Sequence, residues 1–350
     1  MKRATLKDVA ERAGVSKATV SYILNNTKKS ISPETRERVQ RAIEELEYIP
    51  NLGAAALTSN CSRLIGVVVP QTEPGSELMF QNSFYSEILS AIEYGARQRG
   101  YHVIISGTDV DESYMKLVVE RSLDGVIVIG MFPDDFYRQF KKIEVPVVLI
   151  DSYCKDRYFH NIRIDDELGG YTGTKYMLGR GHTRVGILCG HRHDNGVVQK
   201  RIDGYRRALA ESGIAFDERL VFEDNVDYAS GVRAARRIAR EKLPLTGLVA
   251  TADVLAIGAV KGFAQAGAAV PEDYSVIGFD DLEITAYMNP GLTTVHQDIA
   301  RKGELAIELL AESIGESEYE REDIVLPFRI VERESVAVPA GGAAGEKMEK

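Results

Sequence analysis

Four charged side chains sit near the ends of apolar runs. Asp151 follows Pro146-Val-Val-Leu-Ile, Asp253 follows Leu248-Val-Ala-Thr-Ala, and Asp280 follows Val276-Ile-Gly-Phe. Arg201 opens the segment Arg-Ile-Asp-Gly-Tyr. Carboxylates and a guanidinium gathered from different strand ends suit paired hydrogen bonds to neighbouring hydroxyls. Phe84 and Tyr85, in the run Asn82-Ser-Phe-Tyr, can stack on the C–H face of a sugar. Val226, in the loop before Tyr228, adds apolar contact without a stacking surface. This group can hold a polyol. It contains no nucleophile beside a base and no cofactor loop.

A second set lies within the first 25 residues. Lys17, Ala18, Ser21, Tyr22 and Asn25 share the outer face of one short helix. Lys17 can donate to guanine O6 or N7, and Ala18 can pack on a thymine methyl. Tyr22 can donate one hydrogen bond or pack, but it cannot make a bidentate contact. Charge follows the same division. Residues 1–63 hold 11 Lys/Arg and 7 Asp/Glu, a net of +4, in a chain of net −9, which leaves −13 for the rest. A basic head on an acidic body directs phosphate contact to the head.

The elements that position these groups follow from pattern. Thr5 caps a first helix and Asp8 answers it three residues on. Leu6, Val9, Ala10 and Ala13 form its inner stripe. Gly14 stops it, where a turn needs positive φ. Ser16 caps a second helix whose Val20 and Leu24 point inward. Ser32 caps a third, with Pro33 in its first turn and Val39, Ala42, Ile43 and Leu46 as its buried stripe. Two short helices joined by a tight turn predict a helix-turn-helix that enters the DNA major groove.

Beyond residue 63 the pattern changes. Apolar runs at Leu64–Val69, Val103–Ile105, Val126–Ile129, Val145–Ile150, Val185–Leu188, Leu248–Ala250 and Val276–Phe279 alternate with helical stripes. Examples of the stripes are Ile88, Leu89, Ile92 and Ala96, or Tyr205, Ala208 and Leu209. Such runs predict parallel sheets covered on both faces. About 270 residues exceed one compact sheet domain, so two lobes are expected. Ligands of open parallel sheets sit beyond the carboxyl ends of the strands, so two facing lobes predict a cleft there.

The run Thr5-Leu-Lys-Asp-Val-Ala, with Gly14-Val-Ser, Thr19-Val-Ser21 and Asn25-Asn26, resembles the lactose/galactose-repressor (LacI/GalR) family of bacterial transcription regulators. The likeness continues from Arg36 through Tyr48-Ile-Pro50-Asn51 and covers nearly the whole chain. It implies an α/β protein with an N-terminal all-α helix-turn-helix domain (residues 1–50) and a hinge helix and linker (51–62). A two-lobed periplasmic-binding-protein-like body of doubly wound parallel sheets follows (63–340), then a tail (341–350). The lobes are expected at about 63–161 with 292–320, and about 163–290 with 322–340. Three crossovers near 160–164, 290–293 and 319–323 would link them, and the helix Ile299–Ile314 would join the N-lobe.

The resemblance also implies roles. Lys17, Ala18 and Tyr22 would touch base edges, and Thr19, Ser21 and Asn25 the backbone. Thr5, Leu6, Ser16, Asn51 and Ala54 complete the expected DNA-binding set, with Leu57 wedging into the minor groove from a hinge helix. Residues 51–58 are too short for a stable isolated helix, and Gly53 weakens them by roughly 1 kcal/mol relative to alanine. Phe84, Tyr85, Arg201, Val226 and Asp253 would contact an inducer or corepressor, with Asp151 and Asp280 beside them. The expected partners are a pseudo-palindromic double-stranded operator, a small-molecule effector of sugar type, and a second copy of the chain. The tail lacks the apolar heptads that a tetramer of this family needs. A purine effector, or a sugar receptor without DNA function, are the competing readings.

Other classes find less support. Cys61, Cys154 and Cys189 are odd in number and widely spaced, which fits a reducing cytoplasm. No apolar run is long enough to span a membrane, and the N-terminus lacks a signal core. His182, Cys189, His191 and His193 lack usual metal-ligand spacing, and Gly179-x-Gly181 lacks a phosphate-loop ending. No Gly-x-Ser-x-Gly elbow occurs. The expectation is therefore a bacterial cytoplasmic, nucleoid-associated regulator with no cofactor, no metal and no enzymatic activity.

Overall fold

The computed structural model describes residues 4–24, 31–48, 61–70, 79–108, 118, 120–130, 141–142, 145–154, 158–316 and 320–339. The chain divides into two units, Met1–Arg63 and Leu64–Lys350.

The head holds α1 (Leu6–Ala13), α2 (Lys17–Leu24) and α3 (Pro33–Glu45). At the start of α1 the Thr5 amide donates to Asp8 Oδ2 at 2.7 Å, and the Asp8 amide donates to Thr5 Oγ1 at 3.4 Å. This reciprocal cap contributes about 1 kcal/mol. Gly14, at φ +66°, ends the helix as expected. Ser16 Oγ accepts from the Thr19 amide at 3.1 Å and opens α2. Ser32 Oγ accepts from Thr35 at 3.3 Å and opens α3. Val9, Ala10, Ala13, Val20, Ile23, Val39 and Ala42 form the core. Ile23, not Leu24, is the second fully buried residue of α2; Leu24, Ile43 and Leu46 are half-buried at its edge. Arg12 Nε donates to Glu45 Oε2 at 2.7 Å and ties α1 to α3. The hinge assignments Asn51, Ala54 and Leu57, and also Asn25, lie outside the described residues.

The body contains two six-stranded sheets. The first has the order β11-β5-β4-β3-β1-β2. Its strands are β1 (Leu64–Pro70), β2 (His102–Thr108), β3 (Gly125–Ile129), β4 (Val147–Ile150), β5 (His160–Arg163) and β11 (Asp323–Val325). The second has the order β12-β10-β9-β8-β6-β7. It comprises β6 (Val185–Cys189), β7 (Val221–Glu223), β8 (Gly247–Ala250), β9 (Ser275–Asp280), β10 (Thr293–Gln297) and β12 (Phe328–Val331). All pairings are parallel except β10 with β12. In each sheet the chain winds both ways from one strand, β1 and β6, which makes a switch point at its carboxyl end.

Alternation along the strands explains the continuous apolar runs. Ile65, Val67 and Val69 face α4 (Ser83–Gln98) and α9 (Ile299–Ser313), whereas Val68, Val126, Val128 and Leu149 form a core on the opposite face. In the second sheet Leu248 and Ala250 face α7 (Tyr228–Glu241) and α8 (Asp253–Gln265). Val185, Ile187, Val249 and Ile277 face α5 (Asp166–Gly179) and α6 (Val197–Glu211).

The crossovers fall later than the expected boundaries. β10 pairs with β9 and β12, so the C-lobe runs to Gln297 rather than ending near 290. β11 pairs with β5, so the N-lobe returns until Val325 and not only to about 320. The first crossover runs from Arg163 into α5 at Asp166. The reason is that each returning segment adds a strand to a sheet before leaving it, and these short strands with polar residues, β10 inside its sheet and β11 at an edge, carry little apolar signal.

Candidate functional site

The strand ends carry unusual backbone. Asp151, directly after β4, has φ +54°, and Asp280, the last residue of β9, has φ +118°. Non-glycine residues enter this region only when their surroundings hold them there. Both are buried, and both belong to one chain of polar contacts.

Lys302 of α9 is fully buried and donates to the Asp151 carboxylate and to Gln297 Oε1. Gln297 Nε2 donates to Asp280 Oδ1 at 2.6 Å. Asp280 Oδ1 lies 4.0 Å from Arg201 Nη1. Arg201 donates through Nε to Asp166 Oδ1 at 2.8 Å and through Nη1 to the Thr251 carbonyl at 2.5 Å. Its guanidinium stacks on Phe279, 3.6 Å from the ring centroid. Tyr153 closes the row by donating to Asp166 Oδ2 at 2.9 Å. The row therefore runs from the N-lobe (Asp151, Lys302) through a crossover residue (Gln297) into the C-lobe (Asp280, Arg201, Asp166).

Burial sets the titration here. It pushes Asp280 up to about 6, against the pull of Arg201, the Gln297 hydrogen bond and Lys302. Asp166 is also raised by burial, opposed by Arg201. The Thr251 hydroxyl is buried and has no hydrogen-bond partner among the described residues.

Phe84 and Tyr85 occupy the first turn of α4, with ring centroids 5.4 Å apart and nearly perpendicular. Asn82 Oδ1 accepts from the Phe84 amide at 3.1 Å and fixes that turn. One turn on, Glu87 is raised by burial and by the carboxylates of Asp298, Asp281 and Glu283. The aromatic end of α4 thus faces the corner after β9. Val226 is half-buried and packs on the main apolar cluster, as do Phe84 and Tyr85.

Asp253 has partners within the C-lobe. Its carboxylate accepts from Thr294 Oγ1 at 2.7 Å and from the Leu282 amide at 2.8 Å, and the residue is wholly buried. Burial and then the nearby Asp280 raise it well above the usual carboxylate range. Gly278 makes room for it, since a Cβ there would lie 2.1 Å from Asp253 Oδ1. Asp253 therefore latches α8 to β10 and the β9 corner. Asp281 is likewise engaged, accepting from Arg333 Nη2 at 2.7 Å and meeting His296 Nδ1 at 3.0 Å. Both nitrogens of His182 are engaged as well, with Thr246 Oγ1 and the Ala337 carbonyl.

In the head, Ser16, Lys17 and Ala18 are exposed, whereas Leu6, Thr19, Ser21 and Tyr22 are half-buried. Lys17 and Ala18 stand exposed in the first turn of α2, whose Val20 and Ile23 are buried.

Comparison with known proteins agrees with both halves. Residues 5–51 match the model of bacterial regulatory proteins of the lacI family, and residues 174–336 match a periplasmic binding protein-like domain. The HTH-type transcriptional repressor PurR of Vibrio campbellii is 36% identical over 343 residues, covering 95% of this chain and 98% of that protein. The chain belongs to the LacI family. It is a DNA-binding transcriptional repressor with an effector domain, and not an enzyme. Among solved LacI-family structures, the lac repressor dimer bound to operator and the anti-inducer ONPF superposes with a TM-score of 0.81 at 26% identity. That match covers 96% of this chain and all of the other. The transcriptional regulator CelR in complex with cellobiose gives 0.69 at 28% identity, covering 95% and 100%.

The sequence reading missed Asp166, Thr251, Gln297 and Lys302. One signal was present for the first. Gly169-Gly170 stands inside a helix, where each glycine costs about 1 kcal/mol relative to alanine. A Cβ on Gly170 would lie 2.1 Å from the Arg201 carbonyl, and one on Gly169 would lie 2.8 Å from Phe279. These glycines let Arg201 approach Asp166. Lys302 gave no such signal, because a lysine in an amphipathic helix reads as solvated.

Proposed function

We propose that this LacI-family repressor acts as a homodimer on a pseudo-palindromic operator, one half-site per subunit, and that a sugar bound between the lobes sets its affinity. The observation that carries the sugar reading is the alternating row Asp151–Lys302–Gln297–Asp280–Arg201 across both lobes. Donors and acceptors in alternation suit vicinal hydroxyls, which both give and take hydrogen bonds. Phe84 or Tyr85 supplies the stacking face, Val226 an aliphatic wall and Thr251 a further hydroxyl. Lys17, Ala18 and Tyr22 touch base edges, with Thr5, Leu6, Ser16, Thr19, Ser21 and Asn25 holding the duplex backbone. Asn51 and Ala54, within the hinge segment, contact the DNA, and Leu57 wedges the minor groove. The protein works in the cytoplasm on the nucleoid.

A purine effector is the second reading. It is favoured by the higher identity to the PurR repressors than to the sugar-bound CelR. Thermal-shift screening of the full chain against sugars and purines separates the two. A rise in melting temperature with a sugar alone supports the first, and a rise with a purine alone replaces it.

A further inference from the structure

A pocket of about 620 Å³ lies beside the crossovers, lined among others by Tyr153, Asn161, Arg163, Asn195, Lys200 and Asp323. Its volume falls within the range of small-molecule sites. Asn161 is only 8% exposed, and its Oδ1 has no hydrogen-bond partner among the described residues. Its Nδ2 donates to the Ser152 carbonyl at 2.9 Å. Turning the amide over would set two oxygens against each other, so the orientation is fixed. Along β5, His160 meets Ser313 of α9 at 3.0 Å and Ile162 enters the core. Asn161 and Arg163 therefore face the other way, into the pocket. The orphaned acceptor is left for a donor that the described residues do not supply.

The pocket also presents cations. Lys200 Nζ lies 5.6 Å from the centroid of the Tyr153 ring, with no carboxylate in ion-pair range among the described residues. The Arg163 guanidinium lies 5.5 Å from the same ring and is bound to Asp323 at 2.8 Å. Two cations flank one aromatic ring, and only Arg163 is neutralised.

We propose that this pocket is a second small-molecule site, separate from the cleft, and that it takes a small hydroxylated anion. A hydroxyl donates to Asn161 Oδ1 while a phosphate or carboxylate sits against Lys200. The site joins the lobes, since Asn161 and Arg163 come from the N-lobe strand β5 and Lys200 from the C-lobe helix α6. It also touches the cleft through one residue: the Tyr153 ring lines the pocket while its hydroxyl holds Asp166, the partner of Arg201.

The test is calorimetric titration of the full chain with glycerol 3-phosphate, ribose 5-phosphate and malate. At least one binds saturably, and Lys200→Glu and Asn161→Leu each weaken it tenfold or more. Lys200 is only half-buried, so its variant reports even where Asn161→Leu fails to fold. Phe84→Ala, in the cleft, leaves that binding within twofold. Separate phosphate and carboxylate probes identify the anionic group, and inorganic phosphate alone binds at least tenfold more weakly than its hydroxylated ester. Absence of binding by all three probes overturns the proposal. So does binding that survives Lys200→Glu, binding that disappears with Phe84→Ala, or inorganic phosphate binding as tightly as the esters.

Discussion

The Arg201 guanidinium and the Asp166 carboxylate meet at 2.8 Å although 35 residues separate them, and both are buried. Taking two charges out of water costs several kcal/mol per ion, so the pair persists only because its remaining hydrogen bonds are also made. Thr251 and Tyr153 make them.

Loss of one partner should therefore cost more than loss of both. Arg201→Met is expected to destabilise the full chain by about 3–5 kcal/mol, because it strands Asp166. Arg201→Met with Asp166→Asn should recover a large part. Urea unfolding of the two single variants and the double variant measures this. Strictly additive losses would show that the residues act independently.

Asp280 makes stability depend on pH. Its carboxyl is held up to about 6 when folded, by burial and against Arg201, Gln297 and Lys302, with Asp151 opposing them. In the unfolded chain it titrates near 4. Between those values the native state binds more protons than the unfolded state, so stability falls as pH rises from 4 through 6. Asp280→Asn removes this contribution, on the order of 2 kcal/mol. Denaturation curves at pH 4 and 7 check it: the loss on going up in pH should be smaller in the variant. Equal losses would contradict the assignment.

Gly170→Ala places a methyl 2.1 Å from the Arg201 carbonyl. The two helices must separate, at an expected cost of about 1–3 kcal/mol. Helix propensity alone would make this substitution stabilising. The sign of the change in melting temperature thus decides between close approach and propensity.

Lys17→Ala should weaken operator binding by about 1–3 kcal/mol if it reads a guanine, with relaxed specificity at one base. A phosphate contact would instead weaken all duplexes alike and lower the salt slope by about 1. Anisotropy titrations on operator and random duplex at several salt concentrations distinguish these outcomes.

Much of the architecture was legible because burial writes itself into pattern. Every apolar run named from the sequence lies on a strand, since sheets covered on both faces need apolar residues at every position. The caps at Thr5, Ser16 and Ser32 were legible because a side-chain oxygen before a helix has one local use. The inner strands β5 and β10 and the edge strands β11 and β12 were not, because they are three to five residues long and carry polar residues that break any apolar run. At the strand ends, residue type and position pointed to Asp151, Arg201 and Asp280, which share one polar row. The function of Asp253 was hidden, because a carboxylate after a strand looks the same whether it faces a ligand or a threonine hydroxyl from the next strand. Lys302 was hidden for a related reason: its partner Asp151 is 151 residues away, and no local pattern encodes that pairing.

Cleft and operator should share one coupling free energy. Once screening identifies an effector, its dissociation constant should be measured on the full chain with and without saturating operator duplex. Operator affinity should be measured with and without saturating effector. Both ratios should be equal and lie in the 5- to 150-fold range typical of such coupling. An effector that binds identically with operator present and absent, on a chain that still binds its operator, would contradict it.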